Sequence, residues 1–236
     1  MKCLIIGSNF GLKGHLKAIK KIKLIPYAVA SPNIFKKKLD IKIRRYKSAF
    51  KAIDQFERGI LIISTKPKIQ SEIIKYIVKN NYNTKFSGIM LEKPISNSFS
   101  ETKKILNILD NKRVPFNVNF IYTNLEIFKS FKKICKNVKI NQVTYDWKFK
   151  QAFFINKKKT WKTNYDEGGG LINYYFIHLA YNLITIFERF KINKIEFDKN
   201  TKYLDKIKIY GEVNDIPIKI NFDINSNTTI HCFTLK

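Results

Sequence analysis

The chain has 236 residues, 44% of them hydrophobic, with 19 phenylalanines and 12 tyrosines; that fills a real core and is too aromatic for a disordered chain. Its formal net charge of +27 permits a nucleic-acid footprint, but the lysines run through every segment and far outnumber arginine, the residue that bidentate base and phosphate recognition favours. The expectation is therefore a solvated lysine surface with no specific nucleic acid bound.

No apolar run reaches the ~18 residues of a membrane helix, and CLII near the start is too short for a secretory signal core. No membrane is expected, and the compartment reads as the cytoplasm. Cys3, Cys135 and Cys232 lack metal-ligand spacing. Cys232 has His231 beside it, but adjacent residues of a strand point to opposite faces. The cysteines read as reduced structural thiols, and no metal site is expected.

In chain order, KCLII (2–6) has a buried-strand pattern and leads through a glycine turn into LKGHLKAIKKI (12–22), apolar at helical spacing. PYAVAS (26–31) is a second strand. The lysine-rich stretch after it carries no assignable element until the strand GILIIS (59–64). PKIQSEIIKYIVKN (67–80) reads as a helix with proline in its first turn. SGIMLEKP (87–94) is a strand ended by Pro94, SFSETKKILNILD (98–110) a helix capped by Ser98 or Ser100, and PFNVNFIY (115–122) one more strand. Strands separated by helices of this length imply parallel pairing with right-handed crossovers.

The second half changes character. A helix near residues 125–135 precedes the strand INQVTYDWKF (140–149), a lysine-rich loop and a helix opened by Gly168, Gly169 and Gly170. From Lys194 onward KIEF, KIKIYGEV, IPIKINFDI and TTIHCFTL alternate, with VNDIP as a hairpin turn, which predicts an antiparallel meander. The fold class expected is α/β: a doubly wound parallel sheet over 1–122, then an α+β domain with a mostly antiparallel sheet over 123–236.

Three motifs carry chemistry. IIGSNFGLKGH follows the first strand and opens the first helix, where unpaired amides favour an anion. Against G-x-G-x-x-G, Gly7 matches, Asn9 stands at the second glycine and Leu12 at the third, with Gly11 between. Asparagine is the non-glycine residue that best tolerates positive φ. LEKPIS (91–96) sets Glu92 and Lys93 at the carboxyl end of a strand, where open parallel sheets form their ligand crevice. The third motif is TWKTNYDEGGGLINYYFIHL, with Trp161, Lys162, the glycine triplet and His178.

Together they resemble the Gfo/Idh/MocA oxidoreductases, the glucose-fructose oxidoreductase and inositol dehydrogenase family. GSNFGLKGH matches the family's G-x-G-F-G-x-K-x-H at Gly7, Phe10, Gly11, Lys13 and His15. The EKP signature is Glu92, Lys93 and Pro94. STKPKIQ, with Ser64 and Thr65, is similar to the stretch that precedes EKP in the family, with Gln70 where a histidine is usual. Trp161–Lys162, the triplet and His178 complete the order.

The resemblance implies hydride transfer between a nicotinamide and a sugar, sugar-nucleotide or polyol carbon. Gly7, Asn9, Phe10, Gly11, Ser31, Ser64, Thr65, Glu92 and Lys93 would hold NAD or NADP. Trp161, Lys162 and Tyr174 would face the substrate together with Lys93 and His178, which would share the proton handling. The triplet would let its helix pack under the substrate.

Three departures follow. Tyr174 stands where the family has an aspartate four residues before the histidine; as a third catalytic residue it could still donate or relay a proton from the same helix face, though a phenol, ordinarily titrating near ~10, substitutes poorly for a carboxylate. The second strand ends at Ser31 without the acid that would bind the ribose of NAD, and Lys37 and Lys38 nearby tilt the reading to NADP. The second domain is short, which would trim its sheet and alter a homo-oligomer formed through it. The competing readings are a catalytically degenerate member that binds a nucleotide and, behind it, a basic nucleic-acid-binding protein.

Overall fold

The structure, a computed structural model, describes residues 1–39, 42–156, 159–197 and 204–236. The chain divides into two compact units, Met1–Asn119 and Phe120–Lys236.

In the first unit the strands are β1 (Lys2–Ile6), β2 (Ile25–Ala30), β3 (Arg44–Tyr46), β4 (Gly59–Ile63), β5 (Phe86–Leu91) and β6 (Phe116–Val118); the helices are α1 (Lys17–Lys21), α2 (Ala49–Asp54), α3 (Pro67–Lys79) and α4 (Phe99–Asn111). All strand pairs are parallel and the order is β3-β2-β1-β4-β5-β6. A parallel sheet is covered on both faces, so its central strands β1 and β4 are apolar almost throughout. In β1, Leu4 and Ile6 pack with Ile73 and Ile77 of α3 and Ile105 and Leu109 of α4. Cys3 and Ile5 pack on the opposite face with Leu16, Ile19 and Val29. Burying each such aliphatic side chain contributes about 1.5–3 kcal/mol.

Local signals account for much of this. Pro67 opens α3. The cap of α4 is Ser98, whose hydroxyl accepts from the Glu101 amide at 3.3 Å. The stretch without an assigned element contains β3 and α2, the latter capped by Ser48. The first helix departs from the expected regular α-helix: its first turn, Gly11–Leu16, is π-helical and only Lys17–Lys21 is α.

The second unit holds α5 (Glu126–Asn137), β7 (Val143–Lys150), the short α6 (Ala152–Asn156), α7 (Ile177–Phe187), β8 (Phe190–Phe197), β9 (Lys206–Val213), β10 (Ile216–Asp223) and β11 (Asn225–Leu235). The sheet order is β11-β7-β10-β9-β8. Strands β8, β9 and β10 form the expected antiparallel succession, and the VNDIP turn is a hairpin with Asn214 and Asp215 both at positive φ, 48° and 66°.

The meander stops there. β10 pairs β7 in parallel, and β11 lies on the far edge of β7, antiparallel to it. With β9 on one side of β10 and β7 on the other, both edges of β10 are occupied, so β11 takes the next open edge. Alternation in the sequence sets which face a residue occupies and is silent on which strand it pairs with.

Val143, Tyr145 and Trp147 of β7, Ile218, Ile220 and Phe222 of β10, and Leu179, Leu183 and Ile186 of α7 share one core. Against the expectation that no run reaches that length, the helical run Tyr165–Phe187, 23 residues, is long and apolar enough to cross a membrane. Its buried Leu179, Leu183, Ile186 and Phe187 make it a core helix of this unit.

Candidate functional site

In the first unit the candidate residues sit at the carboxyl ends of neighbouring strands. β1 lies between β2 and β4, where the strand order reverses, the position at which open α/β sheets take ligands. Gly7 continues β1: its amide donates to the Ala30 carbonyl at 2.8 Å, and the Ser64 amide donates to the Ile6 carbonyl at 2.7 Å. Gly7 has φ +115°, and a Cβ there would run into the Ser64 carbonyl oxygen. Only glycine makes this turn without strain.

Asn9, expected to use its tolerance of positive φ, does not; the reversal is taken at Gly7. A Cβ at Gly11 would meet the Ile5 side chain at 2.9 Å, so this glycine seats the helix start on β1. The exposed Phe10 ring stands edge-on to His15, 5.1 Å between centroids. The Lys13 amide donates to the Asn9 carbonyl at 3.1 Å, closing the turn that leads from β1 into the helix.

Ser31 follows β2, and its hydroxyl lies 2.9 Å from that of Ser8. Ser8, inside the glycine motif but not selected from sequence, thus brings the loop after β1 to the end of β2. Ser64 and Thr65 follow β4; the Thr65 hydroxyl donates to the Lys66 carbonyl at 3.2 Å.

Glu92 and Lys93 follow β5, and the Lys93–Pro94 peptide is cis. Lys93 is buried. Glu92, expected to face a cofactor, uses one carboxylate oxygen twice: Oε1 is 2.6 Å from His15 Nε2 and accepts from Asn119 Nδ2 at 2.8 Å. Asn119 was not legible as a participant. Its amide continues the β5–β6 edge by donating to the Leu91 carbonyl, and nothing in its sequence context marks it.

In the second unit the glycine triplet has intramolecular reasons. Gly168 (φ +85°) ends the turn Tyr165–Glu167, Gly170 has φ +81°, and a Cβ at Gly169 would collide with the Trp161 carbonyl oxygen. The triplet packs closely against the Trp161–Lys162 backbone.

This closure gathers three expected residues. The Trp161 ring is edge-on to Tyr174 at 5.2 Å, and Lys162 Nζ lies 5.0 Å from the Tyr174 ring centroid. Tyr174 belongs to a second π-helical turn, Leu171–Phe176, which leads into α7. π-turns occur often at functional sites, and here they fall in two of the three motifs.

His178, one residue into α7, is buried among Phe120, Tyr122 and Trp147, with ring centroids at 6.0, 5.3 and 6.4 Å. Tyr122 also stands edge-on to His231 at 5.5 Å. His231, set aside in the sequence reading, stacks on Trp147 at 4.9 Å and lies 2.7 Å from the Tyr145 hydroxyl through Nε2.

Asn182, one turn after His178, donates from Nδ2 to that hydroxyl at 3.4 Å. His231 is on an edge strand, and partial desolvation against these rings lowers its imidazole pKa. Burial raises the phenol pKa values of Tyr122, Tyr145 and Tyr175 above the ordinary range.

No protein-family model matches the chain, and no curated protein sequence matches it. Solved structures do. The WlbA dehydrogenase of Bordetella pertussis, in complex with NADH and UDP-GlcNAcA, matches with TM-score 0.84 and 13% identity over 99% of this chain and 74% of its own. D-galactose-1-dehydrogenase of Rhizobium etli matches with TM-score 0.82 and 14% identity over 99% and 74%. The WlbA (WbpB) dehydrogenase of Thermus thermophilus, in complex with NAD and alpha-ketoglutarate, matches with TM-score 0.74 and 14% identity over 98% and 75%.

The likeness establishes the fold, that of the Gfo/Idh/MocA-type NAD-binding dehydrogenases, and bears out the resemblance read from the motifs at that level. The dinucleotides in these neighbours are NAD and NADH, which lends no support to the expected tilt to NADP.

Proposed function

We propose that the protein is a nicotinamide-dependent oxidoreductase acting on a sugar or sugar nucleotide at a hydroxyl-bearing carbon. The observation that supports it most is that the motif residues of the first unit fall at the sheet's switch point in a chain with the fold of sugar dehydrogenases. In this reading residues 1–119 hold the dinucleotide: Gly7 and Gly11 admit the pyrophosphate, and Asn9, Phe10, Ser64 and Thr65 line its path. Ser8 and Ser31 meet the adenosine ribose. The cofactor, when bound, supplies or accepts the hydride.

The chain supplies orientation and proton handling. Lys93 and His178 share the proton of the substrate hydroxyl, one group releasing or taking it as the other polarises the oxygen. The Phe120, Tyr122 and Trp147 rings around His178 exclude water and fix the imidazole. Trp161, Lys162 and Tyr174 present an aromatic and cationic surface to the sugar or its phosphates. Ser31 in place of an acid keeps NADPH admissible beside NADH. A cytoplasmic enzyme, oligomeric through the second sheet, completes the reading. The uncovered positions of that sheet, Asp146, Lys148, Lys219 and Asn221, are polar and part-exposed, so its assembly would be salt-sensitive.

The test is titration with NADH and NADPH followed by nicotinamide fluorescence, then a screen of sugars and sugar nucleotides for reduction or oxidation of the cofactor. Saturable binding with turnover supports the oxidoreductase. Binding without turnover on any substrate favours the degenerate reading, for which Tyr174 at the family's aspartate position is the specific sign. No binding removes both.

A further inference from the structure

The segment carrying Lys93 leaves the sheet after β5 and is held by a residue of a different element. Gln70 of α3 is 1% exposed. Its carboxamide pairs with both main-chain groups of one residue: the Glu92 amide donates to Oε1 at 3.0 Å, and Nε2 donates to the Glu92 carbonyl at 2.8 Å. Nε2 also reaches the carbonyls of Ile95 at 3.0 Å and Pro94 at 3.4 Å. Buried main-chain groups beyond a strand end require such partners. These contacts fall on the residue before Lys93 and on the two after it, so the backbone is pinned on both sides of the lysine.

Glutamine is specific to this task. It carries an acceptor oxygen and a donor nitrogen with two hydrogens on one planar group, enough to meet the Glu92 amide and more than one carbonyl. Leucine offers neither. Glutamate accepts from the Glu92 amide but, when ionised, turns its second oxygen towards three carbonyls. The ring nitrogens of histidine diverge and do not match the N–H and C=O of one residue.

We propose that Gln70 is the positioning residue for Lys93: it holds the backbone of the EKP segment so that the lysine side chain has one direction and one environment. The inference rests on the reading that Lys93 handles the proton. Gln70 itself touches neither substrate nor cofactor in this scheme.

The experiment measures the pH profile of Lys93 acylation by trace labelling with acetic anhydride and peptide mass spectrometry, in wild type, Gln70→Leu and Gln70→Glu. The exposed Lys68 and Lys79 serve as internal references. In both variants the Lys93 labelling rate at fixed pH is expected to change by about tenfold relative to wild type, while Lys68 and Lys79 stay put. A Lys93 profile unchanged in either folded variant overturns the proposal. Loss of the native circular dichroism spectrum in both variants also overturns it, because Gln70 then serves folding rather than position. NADH titration of the same proteins separates the two layers: failure of the wild type to bind sinks the oxidoreductase reading, whereas labelling alone judges whether Gln70 holds Lys93.

Discussion

His15 and Glu92, 77 residues apart in the chain, meet through Nε2 and Oε1 at 2.6 Å. The contact ties the helix that follows the glycine turn to the strand end that carries Lys93. Asn119, at the end of β6, donates to the same oxygen. One carboxylate thus joins three crossover units of the parallel sheet, all at the edge where a dinucleotide is proposed to lie.

Replacing Glu92 by leucine leaves two part-buried donors without their acceptor. The expected loss of stability is about 1.5–3 kcal/mol, the range for hydrogen bonds to a charged group. Glu92→Gln keeps an acceptor oxygen and costs less. Urea unfolding with a common m-value measures both, and a leucine variant as stable as wild type would show that the bridge contributes nothing.

Lys93→Met removes the amine and retains the stem. If the lysine handles the substrate proton, turnover falls by about 10²-fold or more while the Kd for NADH changes little. Turnover preserved within a factor of a few takes Lys93 out of the mechanism. The measurement is steady-state kinetics beside fluorescence titration.

Gly169→Ala is expected to destabilise the chain more than any exposed substitution, by about 3 kcal/mol or more, because the added methyl meets the Trp161 main chain, which cannot yield as a side chain can. Thermal unfolding reads it. A variant with an unchanged Tm would mean that the Trp161–Lys162 segment moves freely away from the triplet.

The His231 imidazole has a folded-state pKa below its ordinary 6.5, from desolvation against its aromatic neighbours. The unfolded chain therefore binds this proton more readily. The stabilisation from the neutral ring is complete above the unfolded value and is lost as pH falls through the lower folded value. Between neutrality and about pH 5, wild type should lose more Tm than His231→Gln, which keeps a hydrogen-bonding partner for Tyr145 but does not titrate. Equal losses would show that this ring does not contribute to the acid sensitivity.

Ser31→Asp places a carboxylate at the end of β2 near Ser8. It should raise the affinity ratio of NADH to NADPH by about tenfold or more through repulsion of a 2′-phosphate and a hydrogen bond to the ribose. Parallel titrations check it, and an unmoved ratio would place the ribose elsewhere.

The parallel first unit was legible because its signals are local. A strand buried on both faces must be apolar through its centre, as in CLII and ILII, and a proline or serine marks where the next helix starts. Gly7 was legible for the same reason: the turn needs a conformation that only glycine takes cheaply. Positive φ at Asn9 was a wrong inference from a correct propensity, since one reversal at Gly7 suffices.

What the sequence determined by itself was the order of elements, the face each residue presents and the residue types at the strand ends, all set by neighbours within a few positions. Only the tertiary structure decided that β11 pairs with β7, that Gln70 grips the Glu92 peptide, that His15 and Asn119 share one carboxylate and that His231 joins Tyr145 beside Trp147. Each of these depends on which distant edge or buried polar group remains unsatisfied once the rest of the chain has packed, and periodicity along a chain carries no record of that.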